Sequence, residues 1–192
     1  MIGIKGTGMS ALALLLAKLG IKVSGSDSAD SFLLLNQANF TKAGIAIAPD
    51  FDAKNLPKKL DAVIASSSHL TKNPEIREAK KRGLPILTYE DIVGLLSREY
   101  KSITVCGSHG KTTTTNLLAH VMKPVLALAG PTSQQVLDEI IAPPLEARGG
   151  RVGFVFEADE YKNKLKSYSP FGVILTNVEL DHPDYFKTAK QY

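Results

Sequence analysis

The run ITVCGSHGKTTTT, residues 103–115, constrains this 192-residue chain more than any other segment. An apolar strand leads into a turn that contains Gly107 and Gly110, after which Lys111 and four threonines begin a helix. Such a strand–turn–helix directs backbone N–H groups and the positive end of the helix dipole at one point, where a phosphate binds. We expect Lys111 to reach the outer phosphates of a nucleotide and the Thr112 hydroxyl to face Mg²⁺.

The spacing of this loop differs from the general P-loop pattern, which has a glycine where this chain has Val105. The loop therefore belongs to a shorter variant, G-S-H-G-K-T-T. From the residues alone, His109 within it is either part of the loop architecture or a group that takes part in chemistry.

Apolar runs alternate with segments of helical periodicity, which is typical of an α/β protein with largely parallel sheets. A strand followed by a glycine turn and a helix occurs twice, near residues 2–19 and 102–122, so we expect two nucleotide-binding sheets. The polar stretch 97–101 separates them, giving a Rossmann-like domain over 1–98 and a P-loop α/β domain over 99–192. The predicted strands are 2–4, 22–25, 62–65, 85–87, 102–106, 125–129, 153–157 and 172–176, and the predicted helices are 8–19, 30–43, 73–82, 89–97, 111–122, 133–141 and 183–190.

Composition excludes several classes of protein. Cys106 is the only cysteine, so no internal disulfide can form and a cytoplasmic location is expected. No apolar run approaches the roughly 18 residues that span a bilayer, so we expect no membrane partner. The net charge is +4, but the basic residues are not interleaved with aromatic ones, and no DNA-reading motif is present. Nucleic acid is therefore not an expected partner.

The first glycine turn, GIKGTGMS, is similar to a dinucleotide-binding fingerprint, and Asp27 follows Gly3 by 24 residues. Lys5 stands where the fingerprint has its middle glycine, and a side chain there would crowd the pyrophosphate of NAD. The turn is either a nucleotide-binding turn or a purely structural one. Asp27 likewise has two interpretations, as a ribose ligand or as a helix cap.

Carboxylates follow a strongly apolar strand at Glu157 and Asp159. The carboxyl end of a parallel strand lies beside the phosphate loop, where Mg²⁺ needs oxygen ligands. If the strand continues beyond Glu157, both side chains point the same way. The alternative is a solvated loop after a buried strand.

The next apolar strand leads into a second polar loop, T-N-V-E-L-D-H-P-D. His182 in this loop could bind a metal through one ring nitrogen while a neighbouring carboxylate orients the ring. Pro183 is suited to the first turn of a following helix. A solvated loop is again the alternative. We expect His69 and His120 to be structural or exposed, and Cys106 to be a buried strand residue.

Four segments, in order, resemble the Mur ligase family: GIKGTGMSALA with SGSD, SSSHLTKNPEI, TVCGSHGKTTTT, and FEADEY with SPFGVILTNVELDHPDYF. The phosphate loop together with E-A-D-E and T-N-x-x-x-D-H is the most specific part of the match. The resemblance implies three domains: one for a UDP-sugar, a central ATPase, and a C-terminal domain for an amino acid. The chain then corresponds to about the first two-fifths of such an enzyme, so we expect a part that binds substrates without completing ligation.

The resemblance also implies roles for individual residues. ATP and Mg²⁺ are the implied cofactors, and UDP-N-acetylmuramate and L-alanine are the implied substrates, joined through an acyl phosphate. Lys111, Glu157 and His182 would be catalytic, and Thr112, Glu157 and His182 would bind metal. The remaining implied contacts to ATP are Gly107, Ser108, His109, Gly110, Thr113 and Asn177. Those to the UDP-sugar are Gly6, Thr7, Gly8, Met9, Ser10, Asp27, Ser67 and His69.

Three other functions remain open at this point. A recycling ligase that joins a preformed tripeptide to the same UDP-sugar differs mainly in the domain that binds the amine substrate. A non-catalytic module could bind ATP or a UDP-sugar without chemistry. An NAD-dependent oxidoreductase would use the first glycine turn, but it leaves the phosphate loop unexplained.

Overall fold

The computed structural model describes residues 1–30, 37–122, 125–129, 152–159 and 161–188. Two compact units make up the chain, Met1–Ile92 and Val93–Tyr192. The predicted boundary at residue 98 lies six residues beyond this division. The strands pair in parallel throughout both units, as the α/β prediction requires.

The sheet of the first unit consists of two strand pairs joined through Ile2. That residue makes parallel bridges to Ser26 and to Ala65, and so connects one pair to the other. The strands are β1 (Ser24–Ser26), which pairs with β2 (Ala46–Ala48), and β3 (Val63–Ala65), which pairs with β4 (Ile86–Thr88).

Two strand predictions in this unit were wrong or incomplete. The strand expected over 2–4 is a single bridge at Ile2, because Gly3 has φ +75° and turns the backbone out of the extended conformation. Strand β2 was not predicted, because three residues of the run GIAIAP carry too little periodicity to signal a strand.

The helices of the first unit follow the expected pattern of apolar faces. Leu12 and Leu15 of the first helix are fully buried. The third helix begins where Asn73 accepts a hydrogen bond from the Glu75 N–H at 2.8 Å, with Pro74 in the first turn. The helices are α1 (Thr7–Lys18), α2 (Gln37–Lys42), α3 (Pro74–Lys81) and α4 (Tyr89–Glu99), the last of which contains the division between the units. Of the helix predicted over 30–43, residues 31–36 lie outside the described residues.

Glu75 is a fully buried carboxyl group that joins three segments of the first unit. It accepts hydrogen bonds from the Ser26 hydroxyl at 2.5 Å and from the Asn55 side-chain amide at 3.0 Å. We expect Glu75→Ala to destabilise this unit by about 2–4 kcal/mol, because it leaves the buried Ser26 hydroxyl without its acceptor and opens a cavity. Urea unfolding followed by peptide-resolved hydrogen exchange measures this for the first unit alone.

Glu75→Gln is the matched variant, because its amide keeps the volume and can still accept a hydrogen bond. It should lower the free energy of unfolding of the first unit by less than half as much as Glu75→Ala does. Glu78→Ala, in the same helix but only half-buried, controls for lost helix propensity. Equal stabilities for Glu75→Ala and Glu78→Ala would contradict the role given to Glu75.

The second unit is built on a parallel sheet in which the phosphate-loop strand pairs on both sides. The described order is β6 (Leu126–Leu128), β7 (Phe154–Glu157), β5 (Ser102–Cys106) and β8 (Gly172–Leu175). Phe154 and Phe156 of β7 are fully buried and stack at 4.9 Å between ring centroids. Strand β8 lies at one edge of the described sheet, with Val173 and Leu175 exposed.

Helix α5 (Lys111–Val121) leaves the carboxyl end of β5 through the phosphate loop. His120 on this helix is exposed, as expected, and Cys106 is a half-buried residue of β5 whose Sγ lies 3.7 Å from the Ile174 carbonyl oxygen. The helix predicted over 133–141 lies outside the described residues. No helix in the described part of the chain is long and apolar enough to cross a membrane.

The helix predicted over 183–190 was wrong in its described part, which contains a turn at 183–185. The N–H groups of Tyr185 and Phe186 both donate to the His182 carbonyl oxygen at 2.9 Å, and the helical pattern does not continue. A proline suited to a first turn is therefore not sufficient by itself, because the first turn of a helix is costly to form and further turns must be stabilised by packing.

Candidate functional site

The phosphate loop of the second unit depends on two glycines with positive φ. Gly110 has φ +80° and caps the start of α5. Gly107 has φ +127°, and a Cβ built on it would lie 2.7 Å from the Asn177 carbonyl oxygen and closer still to the Thr176 hydroxyl. Only glycine fits at that approach. The loop therefore leaves β5 in close contact with the segment that follows β8.

Lys111 directs its ammonium group over the loop itself. Its Nζ donates to the carbonyl oxygens of Gly107 at 2.6 Å and Ser108 at 3.4 Å. Because the side chain begins at the first residue of α5, its charge lies at the positive end of the helix dipole. Both features favour an anion at this end of the helix.

Thr112 and Glu157 form a direct pair beside the loop. The Thr112 hydroxyl donates to Glu157 Oε2 at 2.8 Å, and Glu157 ends β7 in register with Val105 of β5. Adjacent ligands of an octahedral Mg²⁺, each about 2.0–2.1 Å from the ion, lie roughly 2.9 Å apart. Magnesium is usually held by one or two carboxylates together with substrate phosphates and water. The pair therefore has the oxygen donors and the spacing that a Mg²⁺–nucleotide complex requires.

The strand does not continue to Asp159, because β7 ends at Glu157, so the condition under which both side chains would point the same way is not met. The Ala158 N–H donates to the Val105 carbonyl oxygen at 2.9 Å, and Ala158 is fully buried. Asp159 instead accepts a hydrogen bond from Lys164 at 2.7 Å. The two carboxylates predicted as one set therefore have different partners.

His182 lies near two carboxylates. Its Nε2 is 3.9 Å from both Asp159 Oδ1 and Asp181 Oδ2. Its backbone has φ +52°, the only positive φ of a non-glycine residue in the described chain, which is a sign of local strain. No group of three or more His, Cys, Asp or Glu side chains among the described residues could hold a metal ion. His182 would need substrate oxygens to complete a metal site.

The other expected ATP contacts differ in exposure. Thr113 and His109 are exposed, whereas Ser108 is buried. The His109 N–H donates to the Asn177 side-chain oxygen at 2.9 Å, so this amide connects the loop to the segment after β8. His109 Nε2 also lies 3.9 Å from Glu179 Oε2. Ser108 and Asn177 thus contact protein groups that sequence reasoning did not identify.

The glycine turn of the first unit directs the start of α1 towards solvent. Gly6 caps this helix, and Thr7 and Gly8 in its first turn are partly exposed. Their N–H groups belong to the first turn, which lacks intrahelical partners, so the turn has the general form of an anion site. Met9 and Ser10 have buried side chains, and could therefore contact a ligand only through their backbone.

Asp27 holds the glycine turn in place. Its carboxylate accepts hydrogen bonds from the Lys5 N–H at 2.8 Å and from the Ala29 N–H at 3.0 Å. These backbone contacts are additional to the two roles considered from the sequence, the ribose contact and the helix cap, which stay predictions. The Lys5 ammonium donates to the Ala29 carbonyl oxygen, next to the same loop.

Ser67 and His69 lie in a short 3₁₀-helix after β3. The His69 ring packs against Gly3, where an added Cβ would be 2.7 Å from its Cδ2, and against the Phe51 ring at 4.8 Å between centroids. Ser67 is exposed beside it. The structure thus brings these two residues to the glycine turn, although they are more than 60 positions away in the sequence.

Family models cover both units. The model described as the Mur ligase family catalytic domain matches residues 1–101, and the model of the Mur ligase middle domain matches residues 105–192. The chain belongs to the Mur ligase family. The resemblance of the glycine turn, the phosphate loop and the T-N-x-x-x-D-H segment to this family is thereby confirmed.

Individual Mur ligases are similar to almost the whole chain. It is 44% identical over 191 residues to the UDP-N-acetylmuramate–L-alanine ligase of Pediococcus pentosaceus, covering 97% of this chain and 40% of that protein. Identity to the ligase of the same name from Lactococcus lactis is 41% over 187 residues, with coverages of 96% and 39%. The chain thus spans about two-fifths of the length of these curated relatives.

Solved Mur ligase structures share the fold. The UDP-N-acetylmuramate:L-alanyl-γ-D-glutamyl-meso-diaminopimelate ligase from Neisseria meningitidis matches with a TM-score of 0.76 at 26% identity, covering 96% of this chain and 61% of that one. The UDP-N-acetylmuramate–alanine ligase from Thermotoga maritima matches with a TM-score of 0.69 at 29% identity, covering 95% and 42%. The predicted α/β fold with parallel sheets is confirmed.

Proposed function

We propose that this chain supplies the UDP-sugar and ATP sites of a cytoplasmic ligase that joins L-alanine to UDP-N-acetylmuramate. The observation that carries the proposal is the Thr112–Glu157 pair beside the phosphate loop and Lys111. These are the groups that an ATP–Mg²⁺ complex requires, and the relatives with 41–44% identity bear the name of this ligase.

The proposed reaction has two steps. The lactyl carboxylate of UDP-N-acetylmuramate attacks the γ-phosphorus of ATP, which gives an acyl phosphate and ADP. The amine of L-alanine then attacks the acyl carbon and displaces phosphate, so that an amide forms. No protein nucleophile is needed, which agrees with the position of Cys106 within β5.

The protein's task in the first step is to bring two anions together. The Lys111 ammonium exchanges its contacts with loop carbonyls for contacts with ATP phosphates, and the start of α5 adds its positive dipole end. Thr112 and Glu157 would hold Mg²⁺, which neutralises phosphate charge and aligns the γ-phosphate for attack. His182 and Asn177 would face a second Mg²⁺ near the reacting carboxylate.

We assign the UDP-sugar to the first unit. Gly6, Thr7 and Gly8 offer the start of α1 to the diphosphate, and Ser67 and His69 lie beside this turn. Lys5 stands at the position that NAD-binding turns keep as glycine, so we do not expect NAD to bind. The tripeptide ligase named by the Neisseria relative is the second candidate, since that structure has the higher TM-score of the two compared.

Calorimetric titration of the purified chain tests the proposal. We expect heat from UDP-N-acetylmuramate and from ATP with Mg²⁺, and none from NAD. Gly6→Ala is the matched variant, because Gly6 has φ −61° and an added Cβ would lie 3.4 Å from the Gly3 carbonyl oxygen, an ordinary contact. The methyl group would nevertheless occupy the position proposed for the diphosphate. The variant should bind UDP-N-acetylmuramate at least tenfold more weakly and ATP unchanged.

The outcomes separate the alternatives. Binding of NAD in place of the UDP-sugar would overturn the ligase function in favour of an oxidoreductase. Binding of ATP alone by a folded chain would contradict the sugar assignment of the first unit. Equal UDP-sugar affinity for Gly6→Ala and the unchanged chain would move the sugar away from the glycine turn.

A further inference from the structure

The segment that leaves β8, residues 176–179, makes a continuous series of hydrogen bonds to the phosphate loop; we call it the exit segment. The Thr176 hydroxyl donates to the His109 carbonyl oxygen at 2.6 Å and lies 3.2 Å from that of Cys106. The Ser108 hydroxyl donates to the Glu179 carbonyl oxygen at 2.6 Å and accepts from the Glu179 N–H at 2.9 Å. The His109 N–H also donates to the Asn177 side-chain oxygen, so the exit segment contacts both Ser108 and His109 of the loop.

The Thr176 contacts determine which way two peptide groups of the loop face. In a trans peptide the C=O and the N–H of the next residue point in opposite directions. When the carbonyls of Cys106 and His109 face Thr176, the N–H groups of Gly107 and Gly110 must face away from it. The Cys106 carbonyl oxygen also accepts a hydrogen bond from the Thr176 N–H at 3.0 Å, so the Cys106–Gly107 peptide keeps its orientation without the hydroxyl. The His109–Gly110 peptide is the one that depends on the hydroxyl, because Gly110 has a positive φ and its peptide could otherwise rotate at little steric cost.

A phosphate loop binds its anion through N–H groups, and affinity is lost if those groups must be ordered at the moment of binding. We propose that Thr176 is a positioning residue of the nucleotide site, whose hydroxyl orients the His109–Gly110 peptide so that its N–H group is available to ATP phosphates. This inference rests on the proposed function, because it takes ATP as the ligand of the loop.

The same contacts couple the loop to His182. The exit segment lies directly between β8 and Asp181–His182, so nucleotide binding that stabilises the loop also stabilises the path to His182. If ATP binding stabilises the exit segment, a change that loosens this segment weakens ATP binding in turn, because the two equilibria are linked. A residue that acted only on global stability would not produce this coupling.

Three variants of the full chain test the inference. Thr176→Val removes the hydroxyl and keeps the shape, Thr176→Ser keeps the hydroxyl, and Thr188→Val makes the same change at an exposed threonine of the same unit. We expect Thr176→Val to bind ATP with Mg²⁺ five- to tenfold more weakly, which corresponds to the loss of one hydrogen bond. Thr176→Ser should bind within about twofold of the unchanged chain, and Thr188→Val should bind equally.

Hydrogen exchange provides the second readout. In the unchanged chain, ATP with Mg²⁺ should slow exchange of the amides of 177–182, and in Thr176→Val this protection should fall with the affinity. UDP-N-acetylmuramate affinity should be the same in all variants. If Thr176→Val does not fold, Thr176→Ala against Thr176→Ser makes the same comparison.

The failures are distinguishable. If the unchanged chain binds no ATP, the proposed function is wrong and this inference falls with it. If the unchanged chain binds ATP and the variants without the hydroxyl bind it equally well, the inference is overturned while the proposed function stands. If Thr176→Ser is as weak as Thr176→Val, the methyl group rather than the hydroxyl matters, and the inference is likewise overturned.

Discussion

Lys111→Ala should reduce the affinity for ATP with Mg²⁺ at least about a hundredfold. The ammonium group is placed at the start of α5, where its contacts with the Gly107 and Ser108 carbonyls keep it over the loop. A hydrogen bond between charged groups contributes about 1.5–3 kcal/mol, and the lost charge also leaves the phosphates less neutralised. Titration calorimetry with ATP measures the effect directly.

Two matched variants define what this result means. Lys166→Ala removes an exposed lysine of the same unit and should leave ATP affinity unchanged. Lys111→Arg keeps a positive charge but replaces the compact ammonium with a planar fork, and should recover only part of the loss. UDP-N-acetylmuramate should still bind to Lys111→Ala, because its proposed site lies in the other unit. ATP binding within threefold of the unchanged chain would remove Lys111 from the nucleotide site.

Gly107→Ala should have the second large effect, on both stability and nucleotide binding. The added Cβ would lie 2.7 Å from the Asn177 carbonyl oxygen and 3.0 Å from its N–H nitrogen, and these are backbone atoms that cannot rotate away. The residue also has φ +127°, which L side chains rarely adopt. We expect the second unit to lose about 2–4 kcal/mol and the chain to lose measurable ATP binding.

Gly110→Ala is the control in the same loop. Gly110 also has a positive φ, of +80°, but nothing lies within 4 Å of an added Cβ. Its cost to stability should therefore be the conformational strain alone, about 1–2 kcal/mol. Thermal unfolding with peptide-resolved hydrogen exchange compares the two variants. Equal losses would mean that the contact between the loop and the exit segment does not limit what fits at Gly107.

The elements that sequence reasoning located best are those whose signals are local and redundant. Strand β5 was predicted with its observed bounds, because a short apolar run ends at a glycine turn. Helix α3 was predicted within one residue at each end, because Asn73 and Pro74 begin it and basic residues end it. Pro183 offered a similar starting signal, but the described residues after it, up to 188, form only a turn.

Contacts between distant segments could not be predicted in the same way. Thr176 was taken as the last residue of a strand, since nothing in an apolar run shows that its hydroxyl meets a carbonyl 67 positions earlier. Asp27 had two plausible local roles, yet its carboxylate binds the Lys5 N–H across 22 positions. The residue types of the site were visible in the sequence, but their partners depend on the packing of the sheet.

Strand β5, which leads into the phosphate loop, pairs with two described strands that both come much later in the sequence. Its contacts reach β7 across 52 positions and β8 across about 70. During synthesis, therefore, the motif G-S-H-G-K-T leaves the ribosome long before the strands that shape it. A polypeptide interrupted between Thr112 and Leu175 would contain the whole motif without the exit segment that contacts it. In truncated or fused genes of this kind, the presence of the motif is not evidence of a working nucleotide site.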